Sequence, residues 1–128
     1  MFNSYRKDSS HLRTAIFRSY KGKCEYCGRT IQQRDMHIDH IIPVNRRLIT
    51  DDEVRAYIAE LEEKNFITDS IENYLPSCAA CNISKSNRFF SASNLRFYHE
   101  QARAHVEEIL KIIDSLKETE ETYYEPVD

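Results

Sequence analysis

Asn73-Tyr74-Leu75-Pro76-Ser77-Cys78-Ala79-Ala80-Cys81-Asn82-Ile83-Ser84-Lys85-Ser86-Asn87 is the stretch whose reading organises the chain. Cys78 and Cys81 form a Cys-x-x-Cys pair, and Cys24-Glu25-Tyr26-Cys27, separated from it by fifty residues, has the same spacing. Each pair has the spacing of a zinc knuckle, and four thiolates gathered on one ion at about 2.3 Å make a closed tetrahedral site. Gly28 follows the first pair, where the knuckle turn favours positive φ. Asn82 follows the second, with either that conformation or a separate duty open to it. Two disulfides and a redox Cys-x-x-Cys are the competing readings. The beginning Met1-Phe2-Asn3-Ser4-Tyr5-Arg6-Lys7-Asp8 has no apolar core of a secretion signal, so a cytoplasmic location with reduced thiols is expected. A thioredoxin-like motif would stand alone beside a βαβ unit, not in duplicate. A zinc held by four thiolates has no open position, so its expected work is to staple the fold.

Outward from the cysteines, Met36–Val44 reads as a strand leading into a loop, with Ile38, Ile41 and Ile42 β-branched and Pro43 ending it. Tyr74-Leu75 reads as a short second strand stopped by Pro76, and 79–87 as a short helix. Ser9 or Ser10 caps a first helix carrying Leu12, Ile16, Phe17 and Tyr20, which ends near Gly22. Thr50 and Glu53 have the spacing of a capping box, opening a helix with Val54, Tyr57, Ile58 and Leu61 on one face. Ser91 or Ser93 caps a long helix whose stripe is Leu95, Tyr98, Ala102, Val106, Ile109, Ile113 and Leu116, widened by Leu110 and Ile112. That stripe reads as core packing. His11, His99 and His105 fall on helices and read as surface or packing residues.

Between the cysteine pairs lies His37-Ile38-Asp39-His40-Ile41-Ile42-Pro43. Asp39 and His40 are neighbours at a strand end, so their side chains are expected on opposite faces, one toward a metal and the other toward a nucleophile. The oxygens of Asp39 and Asn82 are hard ligands suited to Mg²⁺ or Mn²⁺ with waters. An imidazole with a near-neutral pKa is a natural general base, which points to His40. Lys85 and Arg88 follow Asn82 by about one and two helical turns and could hold flanking phosphates. His37 alternates onto the face of Asp39, with a supporting or phosphate role open to it.

At these residues the chain resembles the HNH endonuclease family, whose fold is the ββα-metal unit. The resemblance runs from Cys24 to about Asn87, roughly half the chain, through a cysteine pair, Asp-His-x-x-Pro, Asn-x-Leu, and a cysteine pair followed by Asn-x-x-Lys. It implies an α+β fold with His40 as the base that activates water. It implies Asp39 and Asn82 as ligands of a single catalytic Mg²⁺, and Asn73 as the residue that holds the connecting loop, and so His40, in register. It also implies a structural zinc on Cys24, Cys27, Cys78 and Cys81. The chemistry implied is one-metal phosphodiester hydrolysis leaving 5′-phosphate and 3′-hydroxyl ends. Two features depart from the pattern. Asparagine stands at position 82 where a histidine is usual, which implies Mg²⁺ or Mn²⁺. Thirty-two residues separate His40 from Asn73, and they include the acidic capped helix.

The rest of the composition fits one globular domain, neither disordered nor fibrous. The chain has 128 residues, 41% hydrophobic and 30% charged. Its mean hydropathy is −0.65. Its longest uncharged run, Asn73–Ser84, is twelve residues, against about 20 for a membrane span. The net charge of −3 conceals segregation: 1–50 carries +6, 51–73 carries −6, 74–104 carries +3 and 105–128 carries −6. All four cysteines and every histidine but His105 lie in the two basic segments, so the acid is expected away from the chemistry and a polyanion is the expected partner. The expected layout is one domain over 1–117, with a core of about 22–90, an inserted helix of about 51–64 and a C-terminal helix of about 92–117. An acidic, solvated tail, 118–128, follows. A metal-dependent endonuclease acting on nucleic acid, most simply DNA, leads the readings. Its rival is a zinc-stapled binding module, or a subunit inactive without a partner. Cutting two strands together would need paired sites, from a homodimer or a protein partner.

Overall fold

The computed structural model describes residues 2–47, 49–86 and 90–124. Arg88 and the last four residues of the acidic tail therefore lie outside the described residues. Among those described, four helices and one two-stranded antiparallel sheet make an α+β fold. Helix α1 is Ser10–Ser19, strand β1 His37–His40, helix α2 Asp52–Glu63, strand β2 Tyr74–Ser77, helix α3 Ala79–Ser86 and helix α4 Ala92–Tyr124. No helix among the described residues is long and apolar enough to cross a membrane.

The ββα unit is β1, β2 and α3. The strands pair His37 with Ser77, Ile38 with Pro76, Asp39 with Leu75 and His40 with Tyr74. β1 ends at His40, earlier than the β-branched run suggests, because the pairing changes hands there. The Ile41 amide still bonds the Asn73 carbonyl at 2.9 Å, but the Ile42 amide is taken by the Asn73 side chain at 2.8 Å. β2 runs through Pro76 where the proline was expected to stop it. Proline lacks only a donor, and in a two-stranded sheet every strand is an edge. The Pro76 carbonyl instead accepts the Glu25 amide at 3.0 Å, tying β2 to the first cysteine pair.

Two helix ends also differ from expectation. α2 is capped by Asp51, not Thr50, because the Asp51 carboxylate accepts the Val54 amide at 3.0 Å. α4 continues to Tyr124, seven residues past 117, so 118–124 is helical. Glu120 reaches back to His11 at 2.6 Å, which fastens this acidic extension to α1. The charge of the segment had favoured a solvated tail; residues 118–120 are exposed, and the helix continues through them.

The core lies between α4 and the elements in front of it. Leu12, Ala15 and Ile16 of α1 face Ala102, Ile109 and Ile113 of α4, all buried. Each fully buried Leu or Ile contributes about 1.5–3 kcal/mol. Ser9 caps α1 by accepting the Leu12 amide, and Gly22 (φ +66°) ends the following turn where a Cβ would press on the Phe17 ring at 3.0 Å. The chain before α1 is stitched alongside 69–72: Tyr5 bonds the Asp69 carbonyl, Ile71 bonds the Asn3 carbonyl, and the buried Glu72 takes both nitrogens of Asn3.

Candidate functional site

The two cysteine pairs meet. The sulfurs of Cys24, Cys27, Cys78 and Cys81 all lie within 4.8 Å of one another, and all four thiols are free of disulfides. Tetrahedral geometry with bonds of about 2.3 Å puts sulfurs about 3.8 Å apart, and Cys27 and Cys78 are 3.9 Å apart. The donor set and its spacing fit zinc. Gly28 (φ +75°) supplies the left-handed turn and donates to the Cys24 carbonyl at 2.8 Å. Asn82 does not repeat that turn. It sits inside α3 with its amide on the Cys78 carbonyl, which leaves its side chain for other work.

A cavity of about 230 Å³ opens beside this cluster, lined on its polar side by Asp39, His40, Asn82 and Lys85. Asp39 and His40 both contribute to this lining, while their side chains take separate partners: Asp39 meets Tyr26 and Lys85, and His40 meets Asp69 and Tyr74. Asp39 is held from two directions. Tyr26, inside the first Cys-x-x-Cys, donates its hydroxyl to Asp39 Oδ2 at 2.5 Å, and Lys85 Nζ lies 2.7 Å from the same oxygen. Burial, then the Asp39 charge, hold the Tyr26 phenol far above its ordinary pKa, so it stays a donor. Lys85 also donates to the His40 carbonyl. A carboxylate and an amide oxygen beside a cavity with room for several waters fit Mg²⁺ or Mn²⁺, each of which keeps waters in its shell.

His40 is not alone. Its Nε2 lies 2.8 Å from Asp69 Oδ1, and its ring meets Tyr74 edge-on at 5.4 Å. The hydrogen bond from His40 lowers the Asp69 carboxyl below its ordinary value, with Tyr74 and Lys7 adding to the effect. Asp69 belongs to the acidic segment 51–73, so that segment is not remote from the chemistry, as its charge had suggested. Val54 of the same insertion lines the cavity too. His37 is exposed and outside the cavity lining.

Asn73 is fully buried and makes the loop after His40 rigid. Its Oδ1 accepts the Ile42 amide, and its Nδ2 donates to the carbonyls of Ile42 at 3.0 Å and Thr68 at 2.9 Å. Behind it stands His99 of α4, with Nε2 3.3 Å from Asn73 Oδ1 and Nδ1 3.3 Å from the Tyr57 hydroxyl. Since Oδ1 can only accept, the network assigns the proton to Nε2 and makes Nδ1 the acceptor. No sequence signal distinguished His99 from a plain packing residue. The other two helix histidines bond outside the site, His11 to Glu120 and His105 to Ser19 at 2.7 Å.

Burial, with the Arg103 charge second, lowers the His99 pKa from 6.5 to about 4. Above pH 6.5 the ring is neutral in both folded and unfolded chains and confers no pH dependence. As pH falls from 6.5 toward 4 the unfolded chain takes up the proton first, so folding loses stability, on the order of 3 kcal/mol at most. Urea titrations at pH 7.5 and 4.5 on wild type and His99→Gln check this. Wild type is expected to lose more stability between the two pH values than the variant; equal losses would assign the pH dependence to other groups.

Residues 24–53 match the family model of the HNH endonuclease. The match holds Cys24, Cys27, Asp39 and His40 and ends inside α2; the fold brings Asn73, Cys78, Cys81 and Asn82 to it. No curated protein and no solved structure matches the chain. The chain thus resembles the HNH endonucleases in its matched segment, in its ββα unit and in a four-cysteine cluster compatible with zinc.

Proposed function

We propose that this chain, on the premise of its HNH endonuclease segment, is a metal-dependent endonuclease that hydrolyses phosphodiester bonds, with DNA as its substrate and the reducing cytoplasm as its setting. One observation carries the reading: Asp39, His40 and Asn82 line one cavity, and the His40 ring is held by Asp69, which stands outside that cavity's lining. Asp69 engages Nε2, so Nε2 carries the proton and Nδ1 keeps a lone pair for a water. His40 takes the proton from that water as it attacks phosphorus in line with the leaving oxygen. Asp39 and Asn82 would hold a single Mg²⁺ or Mn²⁺, which when bound stabilises charge building on the phosphate and on the leaving 3′ oxygen. Tyr26 and Lys85 share Oδ2 of Asp39 and fix the direction of its other oxygen. Lys85, half in the cavity, offers an entering phosphate a charge-assisted hydrogen bond. Asn73 keeps His40 in register, and Cys24, Cys27, Cys78 and Cys81 hold a structural zinc.

The test is cleavage of supercoiled plasmid, single-stranded DNA and RNA by the zinc-loaded protein with Mg²⁺, with and without EDTA. Cutting that EDTA stops, with ends that DNA ligase rejoins without prior phosphorylation, is the expected result. Nicked product reports single sites, and linear product without nicks reports paired sites in a dimer. Binding of nucleic acid with no cleavage under any divalent ion would favour the zinc-stapled binding module and sink the enzyme reading.

A further inference from the structure

A second cleft, about 570 Å³ and wide open, lies on the other side of His40. His40 and Val44 belong to the walls of both cavities, so the two adjoin at these residues. The far wall of the second cleft is the segment before α1 and its first turns: Arg6, Lys7 and Arg13, with Asp8 between them. We infer that this wall is a phosphate cradle that holds the nucleic-acid backbone next to the bond being cut, an inference that rests on the nuclease reading above.

Three features support it. First, the cations are built in, not carried on a loose arm. Tyr5 bonds the Asp69 carbonyl at 2.9 Å, Asn3 is tied to the buried Glu72, and Ser4 bridges Ser70. The same segment that brings Asp69 to His40 therefore fixes Arg6 and Lys7 beside it. Arg13 is pinned by the carbonyls of Met36 at 2.7 Å and Gln33 at 3.2 Å, just ahead of β1. Second, the charge is available. Arg6 is paired with Asp8 and His40 with Asp69, but among the described residues no ion pair engages Lys7 or Arg13. Lys7 is near enough to Asp69 to act on its carboxyl. Third, the junction is apolar and exposed: Val44 is 69% exposed where the cavities meet, a surface suited to a sugar or base between two phosphates. A phosphodiester strand presents that pattern of charge, apolar ring and charge; an acidic peptide would not need the adjacency to His40.

The experiment is fluorescence anisotropy of labelled single-stranded and duplex DNA with the zinc-loaded protein, with calcium replacing magnesium, from 50 to 200 mM salt. Each phosphate contact contributes roughly one to the slope of log affinity against log salt. Arg6→Ala/Lys7→Ala is expected to bind about ten-fold more weakly at 100 mM salt and to lower the slope by about one to two. The loss should be equal for unrelated sequences, while Lys7→Arg keeps near wild-type binding. Lys111→Ala, an exposed lysine paired with Glu107 on α4 and outside both cavities, is the control and should change neither value. Arg6 is exposed, as is Lys7, so an unchanged melting temperature checks that the variants are folded. Binding and slope unchanged in the double variant would overturn the cradle while leaving a wild type that cuts DNA an endonuclease. A wild type that neither binds nor cuts any nucleic acid would overturn both.

Discussion

On the proposed mechanism, His40→Ala is expected to lower the rate of phosphodiester cleavage about 10²–10⁴-fold, the range by which a positioned general base accelerates proton transfer. That corresponds to about 3–5 kcal/mol of lost transition-state stabilisation. The ring lies at the end of β1, and its removal leaves the backbone pairing of His40 with Tyr74 in place. It also leaves the Asn73 bonds to Ile42 and the four-cysteine cluster untouched. The variant should therefore keep its zinc, its melting temperature and its affinity for DNA to within about three-fold. Asp69→Asn is the companion measurement. The amide still reaches His40 Nε2 but no longer favours the tautomer with Nδ1 free, so the rate should fall by about ten-fold, with little change in DNA affinity. Single-turnover cleavage at saturating protein separates the rate from binding. A His40→Ala protein that still cuts within three-fold of wild type would remove His40 from the chemistry.

The parts of this site legible in the sequence are those whose chemistry is local. Two Cys-x-x-Cys pairs can be recognised because each knuckle is a single turn, and the structure brings them together as that reading required. Asp39-His40 and Asn82 could be singled out because the residue types themselves state a ligand or a base. The supports of those residues were not legible, because they arrive across the fold. Tyr26 reaches Asp39 from 13 residues away, His99 reaches Asn73 from 26, and Asp69 reaches His40 from 29. No spacing rule links such partners; they meet because the first cysteine pair, α4 and the insertion all pack against the same two short strands. Segment charge misled for a related reason. The acid was expected away from the chemistry, yet one exposed carboxylate of the insertion, Asp69, reaches the His40 ring from the loop before β2. The extension of α4 past 117 likewise meets a distant partner, His11, through Glu120, a contact that helix propensity does not report.

Removing zinc from a metal-loaded four-cysteine cluster, with a thiol reductant present, is expected to have the second large effect: a melting temperature at least about 15 °C lower, or a chain already unfolded at 37 °C. The core explains the size. A structural zinc contributes an apparent 10–16 kcal/mol in small zinc-finger peptides, and a whole domain of ordinary stability has only about 5–15 kcal/mol. Here α1 and α4 keep an apolar interface of their own, Leu12, Ala15 and Ile16 against Ala102, Ile109 and Ile113. Collapse without metal is therefore partial, and a loss of about 5 kcal/mol is the reasoned floor. A zinc on the cluster would reinforce the joint between the first cysteine pair and the β2–α3 corner, which the Glu25 bond to Pro76 and the Tyr26 bond to Asp39 also make. Loss of zinc should accordingly free Asp39 as well as lower stability, so that Mn²⁺ titrated into the apo chain binds at least ten-fold more weakly than into the zinc form. Tyr26→Phe separates the two effects: it should keep zinc and most of the melting temperature, yet weaken Mn²⁺ binding in the same direction. Full retention of the melting temperature after metal removal, verified by elemental analysis, would show that the thiols gather without a structural ion. It would leave the apolar interface of α1 and α4 to carry the fold alone.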